Sequence, residues 1–183
     1  MTFSATKQAV SNRGIPPDSF LQTLVAWGRL APDEIFVVNP YADIYGSIKA
    51  ALGPYTDTMH RRCVMLEVMR VLGGFESSWS WLAGRDTTNA SSDTPDTIEA
   101  GLWQVSANSM NFGQELRDLV FNHCSASDGN SFQAAMKRDR ALAMEYIARL
   151  LRRTVLANGP VLRHEIDEWL RRDAVAEFIL LLS

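Results

Sequence analysis

The feature that most constrains this chain is one long run of helical periodicity near its middle. Behind a capping residue at Thr56 or Asp57, the apolar residues Met59, Cys63, Leu66, Val68, Met69 and Leu72 recur largely at three- and four-residue spacings. They make a stripe too wide for a helix lying on a surface, so other helices have to wrap it. Gly73-Gly74 is expected to end this central helix. The remaining chain supplies the wrapping. Pro16-Pro17-Asp18-Ser19 is a helix-start signal, followed by Phe20, Leu21, Leu24, Val25 and Trp27 at helical spacing, and Pro32-Asp33-Glu34 opens a short helical turn. Asp43 to Leu52 reads as a helix stopped by Gly53-Pro54. Further helices are expected from Phe112 to His123 and from Ser131 to Thr154. Two short ones follow Asn158-Gly159-Pro160, with Asp173 capping the last. Only residues 84–100 break the pattern. Their Thr, Ser, Asp and Asn content predicts a loop or a short irregular hairpin, after which Leu102-Trp103-Gln104-Val105 returns the chain to the core. The expected fold is mostly α, with a small β-like insertion after the central helix. It occupies a single domain over 16–183, preceded by a polar, loosely held segment over 1–15.

At 183 residues the chain suits one domain with a sizeable core. Its net charge of −3 comes with no basic stripe. The pairs Arg61-Arg62, Arg152-Arg153 and Arg171-Arg172 lie beside acids on expected helices, so they read as solvated faces and not as a nucleic-acid footprint. No run approaches the roughly 20 apolar residues of a membrane span, and Lys7 is followed by no apolar segment of a cleaved export signal. Cys63 and Cys124 form no CxxC motif; two free thiols or one disulfide both fit. His60, His123 and His164 lack metal-ligand spacing, and Asp86, Asp93, Asp96 and Glu99 do not match a calcium-loop pattern. No metal or other cofactor is expected.

Chemistry concentrates in two segments flanking the polar excursion. They are Gly73-Gly74-Phe75-Glu76-Ser77-Ser78-Trp79 and Glu99-Ala100-Gly101-Leu102-Trp103-Gln104-Val105-Ser106. Glu76 sits where the long helix ends, near the negative pole of its dipole, which disfavours a carboxylate. Phe75, Trp79 and Trp81 are placed to wall it from water. Both effects raise a carboxyl pKa and keep a proton available for a glycosidic oxygen. Trp79, Trp81 and Trp103 offer flat faces for sugar rings, with core packing as the competing role. Ser77 and Ser78 have no paired histidine and no elbow motif, so a serine nucleophile is not expected.

Glu-Ser at a helix end, a polar excursion, then Gly-Leu-x-Gln-Val resembles the goose-type lysozyme and soluble lytic transglycosylase family over residues 60–110. The resemblance implies a lysozyme-like α+β fold and cleavage of the MurNAc–GlcNAc bond of peptidoglycan. It makes Glu76 the catalytic acid and Gly101-Leu102-Trp103-Gln104 the lining of the glycan cleft, with Trp103 at a position where the family has Met. Ser77, Gln104, Ser106, Asn108 and Tyr146 become substrate-binding candidates alongside Trp79 and Trp103. The family's water-activating aspartates are disturbed. Ser106 stands at one position, and Pro95 stands at the spacing of the other, between Asp93 and Asp96. Asp96 is the first choice for a second carboxylate and Asp93 the next, with Asp86 and Glu99 also available. Lytic transglycosylation needs no such acid, so both mechanisms stay open. A chitin- or chitosan-cleaving enzyme, or a glycan-binding protein without activity, are the alternatives. Wall cleavage implies action in the periplasm or outside the cell by an unassigned export route. An exported toxin of this kind would need an inhibitor (immunity) protein in its producer.

Overall fold

A computed structural model of the chain describes residues 2–153 and 159–183. Eight α-helices, together with short 3-10 segments, make up more than half of the described residues: α1 (Asp18–Leu30), α2 (Ile44–Ser47), α3 (Lys49–Leu52), α4 (Thr58–Ser77), α5 (Gln114–Cys124), α6 (Gly129–Arg138), α7 (Arg140–Leu151) and α8 (Arg172–Leu182). The fold is mostly helical. Among the described residues, the β structure is one antiparallel bridge between Ala100 and Val105.

Helix α4 is the axis. Asp57 is its N-cap, with its carboxylate accepting the His60 amide at 2.8 Å. Every residue from Arg61 to Gly74 is buried, beyond what the apolar stripe requires; Arg61 and Arg62, expected on a solvated face, are buried because they donate to the carbonyls of Phe36 and of Gly28 and Ala31. Helices α1, α7 and α8 pack against it. The helix does not stop at Gly73-Gly74 but runs to Ser77. The glycines sit inside it because the chain folds back on them. A Cβ on Gly74 would lie 2.5 Å from Cζ2 of Trp79, and one on Gly73 would lie 2.4 Å from Cδ2 of Leu102. Ser78 and Trp79 take left-handed conformations, with φ of 53° and 60°. Their amides bond the carbonyls of Gly74 and Gly73, so the reversal also closes the helix end.

Other boundaries shift for similar local reasons. The stretch from Asp43 to Leu52 is two short helices, α2 and α3, with Asp43 capping the first. The expected helix from Ser131 is divided into α6 and α7 by Asp139, whose carboxylate caps α7 through the Leu142 amide; Thr154 and Asn158 lie outside the described residues. A 3-10 segment, Ala107–Phe112, precedes α5. Near the C-terminus, turns and the 3-10 segment Asp167–Trp169 lead to α8, whose N-cap is Arg171, with Asp173 inside the first turn.

The N-terminal segment, read from its polarity as loose, is fastened to the body. Thr6 and Val10 are fully buried and Phe3 nearly so. The carboxylate of Glu177 on α8 accepts the amides of Ser4 and Thr6, each at 2.7 Å. The buried Arg70 on α4 donates to the carbonyls of Gln8 and Trp169 and, through two bonds of 2.7 Å, to Glu67. Glu67 also accepts the Arg171 amide. One buried ion pair thus ties the central helix to both ends of the chain.

Candidate active site

The two segments singled out in the sequence meet in space. Ala100 and Val105 exchange backbone bonds of 2.9 and 3.3 Å, and residues 101–104 form the turn between them. Gly101 (φ 73°) is required there, since a Cβ would lie 2.7 Å from the carbonyl oxygen of Met136. Ser77 at the end of α4 donates its hydroxyl to the Leu102 carbonyl at 2.7 Å, and the Trp103 indole donates to the Met69 carbonyl at 2.9 Å. The turn is thereby latched to the last turns of α4, and Glu76 projects beside it.

Glu76 and Gln104 line both halves of a groove. One half, about 600 Å³, adds Arg13, Phe75, Asp86, Thr88, Asn89 and Glu99. The other, about 270 Å³, adds Ser106, Asn108, Ser109, Phe112 and Ile147 among its walls. Glu76 and Gln104 are the two residues that border both. The Glu76 carboxyl is pushed up to about 7, first by burial. Arg163 and Arg13 pull it down; Glu165 and Glu99 push it up. The aromatic wall differs from expectation. Phe75 lines the groove, backed by Trp169 at a centroid distance of 6.0 Å. Trp79 and Trp103 are 5% and 4% exposed, with both indole N–H groups spent on α4 carbonyls; Trp79 borders neither half of the groove, whereas Trp103 borders the smaller one. Trp81 is half-buried against Phe20 and Trp103.

Asp96 and Asp93 are exposed and do not line the groove. The reason is that the neighbouring backbone is bound elsewhere. The Pro95 carbonyl accepts from Gln133 and the Asp96 carbonyl from the Asn108 amide, while the Pro95 backbone packs onto Gly129, where a Cβ would come within 2.3 Å. The carboxylates that do line it with Glu76 are Glu99 and Asp86. Glu99 is half-buried and oriented by two donors, the Asn89 amide at 2.8 Å and the Ser92 hydroxyl. Asp86 is turned toward its own loop, accepting from the backbone amide and hydroxyl of Thr88, which hold its carboxyl below the usual range.

The other candidates divide into lining and supporting positions. Gln104 lines the groove with φ 47° and its amide nitrogen on the Gly101 carbonyl. Ser106 and Asn108 line the smaller half, joined by a 2.6 Å hydrogen bond. Ser77 is engaged in latching the turn. Tyr146 is fully buried, stacked edgewise on Phe132, and meets the lining residue Ser109 through a 2.6 Å hydroxyl–hydroxyl bond. Arg13 on the N-terminal segment was not signalled by any motif; only the folding of that segment onto α4 brings it to the groove. Cys63 and Cys124 are free. No group of three or more His, Cys, Asp or Glu able to hold a metal occurs among the described residues. No helix there is long and apolar enough to cross a membrane.

Compared with family models, curated proteins and solved structures, the chain matches none.

Proposed function

We propose that this protein is a lysozyme-like glycan-cleaving enzyme that hydrolyses the MurNAc–GlcNAc bond of peptidoglycan with inversion. The observation that carries the reading is a groove extending to both sides of a glutamic acid whose carboxyl is raised to about 7. A polymer lying along it presents one linkage to Glu76. Protonated Glu76 donates its proton to the glycosidic oxygen as the bond to the anomeric carbon breaks. Glu99 takes a proton from a water that adds to the opposite face of that carbon. Glu99 is preferred to Asp96 as second carboxylate because Glu99 lines the groove and Asp96 does not. Gln104, Ser106 and Asn108 supply hydrogen bonds to sugar hydroxyls or N-acetyl groups from the groove's walls. A wall substrate places the action in the periplasm or outside the cell.

Release of reducing sugar from purified peptidoglycan, with chitooligosaccharides in parallel, tests this. The wild type should release reducing ends from peptidoglycan, and Glu76→Gln and Glu99→Gln should each lower the rate at least a hundredfold. Activity on chitooligosaccharides alone transfers the reading to chitin. Full activity of Glu99→Gln, with 1,6-anhydro ends in place of reducing ends, replaces hydrolysis by transglycosylation.

A further inference from the structure

The larger half of the groove carries three carboxylates, Glu76, Asp86 and Glu99, and one cation, Arg13. Nearby Arg163 is already committed to Glu165 by two hydrogen bonds of 2.8 and 3.0 Å. The Arg13 guanidinium is exposed and makes no ion pair or hydrogen bond at contact distance among the described residues, although its charge reaches Glu76. It is nonetheless held in place at its backbone. The Val10 amide bonds the Gly14 carbonyl and the Arg13 amide the Val10 carbonyl, both at 3.0 Å. Val10 is fully buried, and the preceding chain is tied to Arg70 through the Gln8 carbonyl. Gly14 turns the chain with φ 85°.

A glycan bearing carboxylates is repelled by Glu99 and Asp86 unless a positive group receives its charge. We infer that Arg13 is a specificity-determining residue that docks a carboxylate of the substrate beside the scissile bond and so selects acidic, muramyl-type glycans over neutral ones. This rests on the glycan-cleaving reading of the groove. In peptidoglycan the carboxylate has two sources, the lactyl group of the sugar itself where the peptide has been removed, or the stem peptide where it has not. Both present the same chemistry to a guanidinium, a planar pair of acceptors for a two-point bond.

The test is direct binding of soluble fluorescent glycan strands to Glu76→Gln protein, with and without Arg13→Gln or Arg13→Lys. In the Glu76→Gln background no bond is cleaved, and Arg13 cannot act through the ionisation of Glu76. Three strands are compared: strands with intact peptides, strands stripped of peptide so that the lactyl carboxylate is free, and intact strands whose carboxylates have been converted to amides. Arg13→Gln should weaken binding of at least one carboxylate-bearing strand about tenfold. Which strand responds names the source. Arg13→Lys should recover part of the loss, and the amidated strands should bind both proteins alike. Equal weakening on all three strands, no weakening on either acidic strand, or no binding to any strand overturns the inference. A wild type that binds as predicted and cleaves nothing overturns only the catalytic reading.

Discussion

The proposed chemistry needs Glu76 to keep a proton at a pH where an ordinary glutamic acid has lost it, and its surroundings raise its carboxyl at a cost in stability. Its folded value of about 7 lies above the ordinary 4.5 because burial penalises the charge. The sign follows from linkage. Below about pH 4.5 the group is protonated folded or unfolded and costs nothing; between about 4.5 and 7 the unfolded chain ionises first, and stability falls by up to ~3 kcal/mol. Glu76→Gln should therefore match the wild type near pH 4.5 and exceed it by up to ~3 kcal/mol at pH 8 in urea titrations. Catalysis by the wild type should decline above pH 7 as the acid form disappears. The buried pair Glu67–Arg70 behaves differently. Glu67→Ala leaves a fully buried guanidinium without its carboxylate and should cost about 3–5 kcal/mol in denaturant midpoint measurements. Replacing both residues by Leu and Met should cost markedly less. Glu76 was legible as a residue of interest because the two segments that flank the polar excursion in sequence also meet in space. Which carboxylates would share the groove with Glu76 was not, because spacing counted along a loop carries little information once Gly129 and Gln133, far away in sequence, decide which way the loop faces.

At the scale of elements, the decisive packing is between the end of α4 and the turn at 101–104. The apolar stripe of α4 announced a buried axial helix. It could not announce where the helix ends, because a glycine pair is a breaker only when nothing rewards its small size. Here Trp79 and Leu102 occupy the space a side chain would need. Gly74→Ala meets three atoms of a rigid indole between 2.5 and 3.0 Å, so overpacking should outweigh the helical gain and destabilise by about 1–3 kcal/mol. Gly73→Ala meets the end of a flexible leucine at 2.4 Å and should cost less. Thermal unfolding of the two variants side by side checks the order. The break between α6 and α7 escaped detection because the helical periodicity continues across Asp139, which nonetheless caps a new helix.

At the scale of the whole molecule, the helical class was readable from periodicity, while the role of the first fifteen residues was not. Their polarity suggested looseness, but fastening depends on Glu177 and Arg70, which no local pattern reveals. Burial works against the charge of Glu177, yet the amides of Thr6 and Ser4 outweigh it and hold the carboxyl below its ordinary range. Its contribution is thus complete above the ordinary glutamate value and is lost as the pH falls through the lower folded value. Glu177→Gln at pH 7 should speed amide exchange over residues 2–14 while leaving α4 protected. Because the same segment carries Arg13 to the groove, loosening it should also weaken glycan binding. The account stands or falls on cleavage by Glu76, and mass spectrometry of peptidoglycan digested with wild type and with Glu76→Gln tests it most directly. Muropeptides with reducing ends from the wild type, and none from the variant, are the predicted result. Equal products from both proteins, or none from the wild type on several wall preparations, would contradict it.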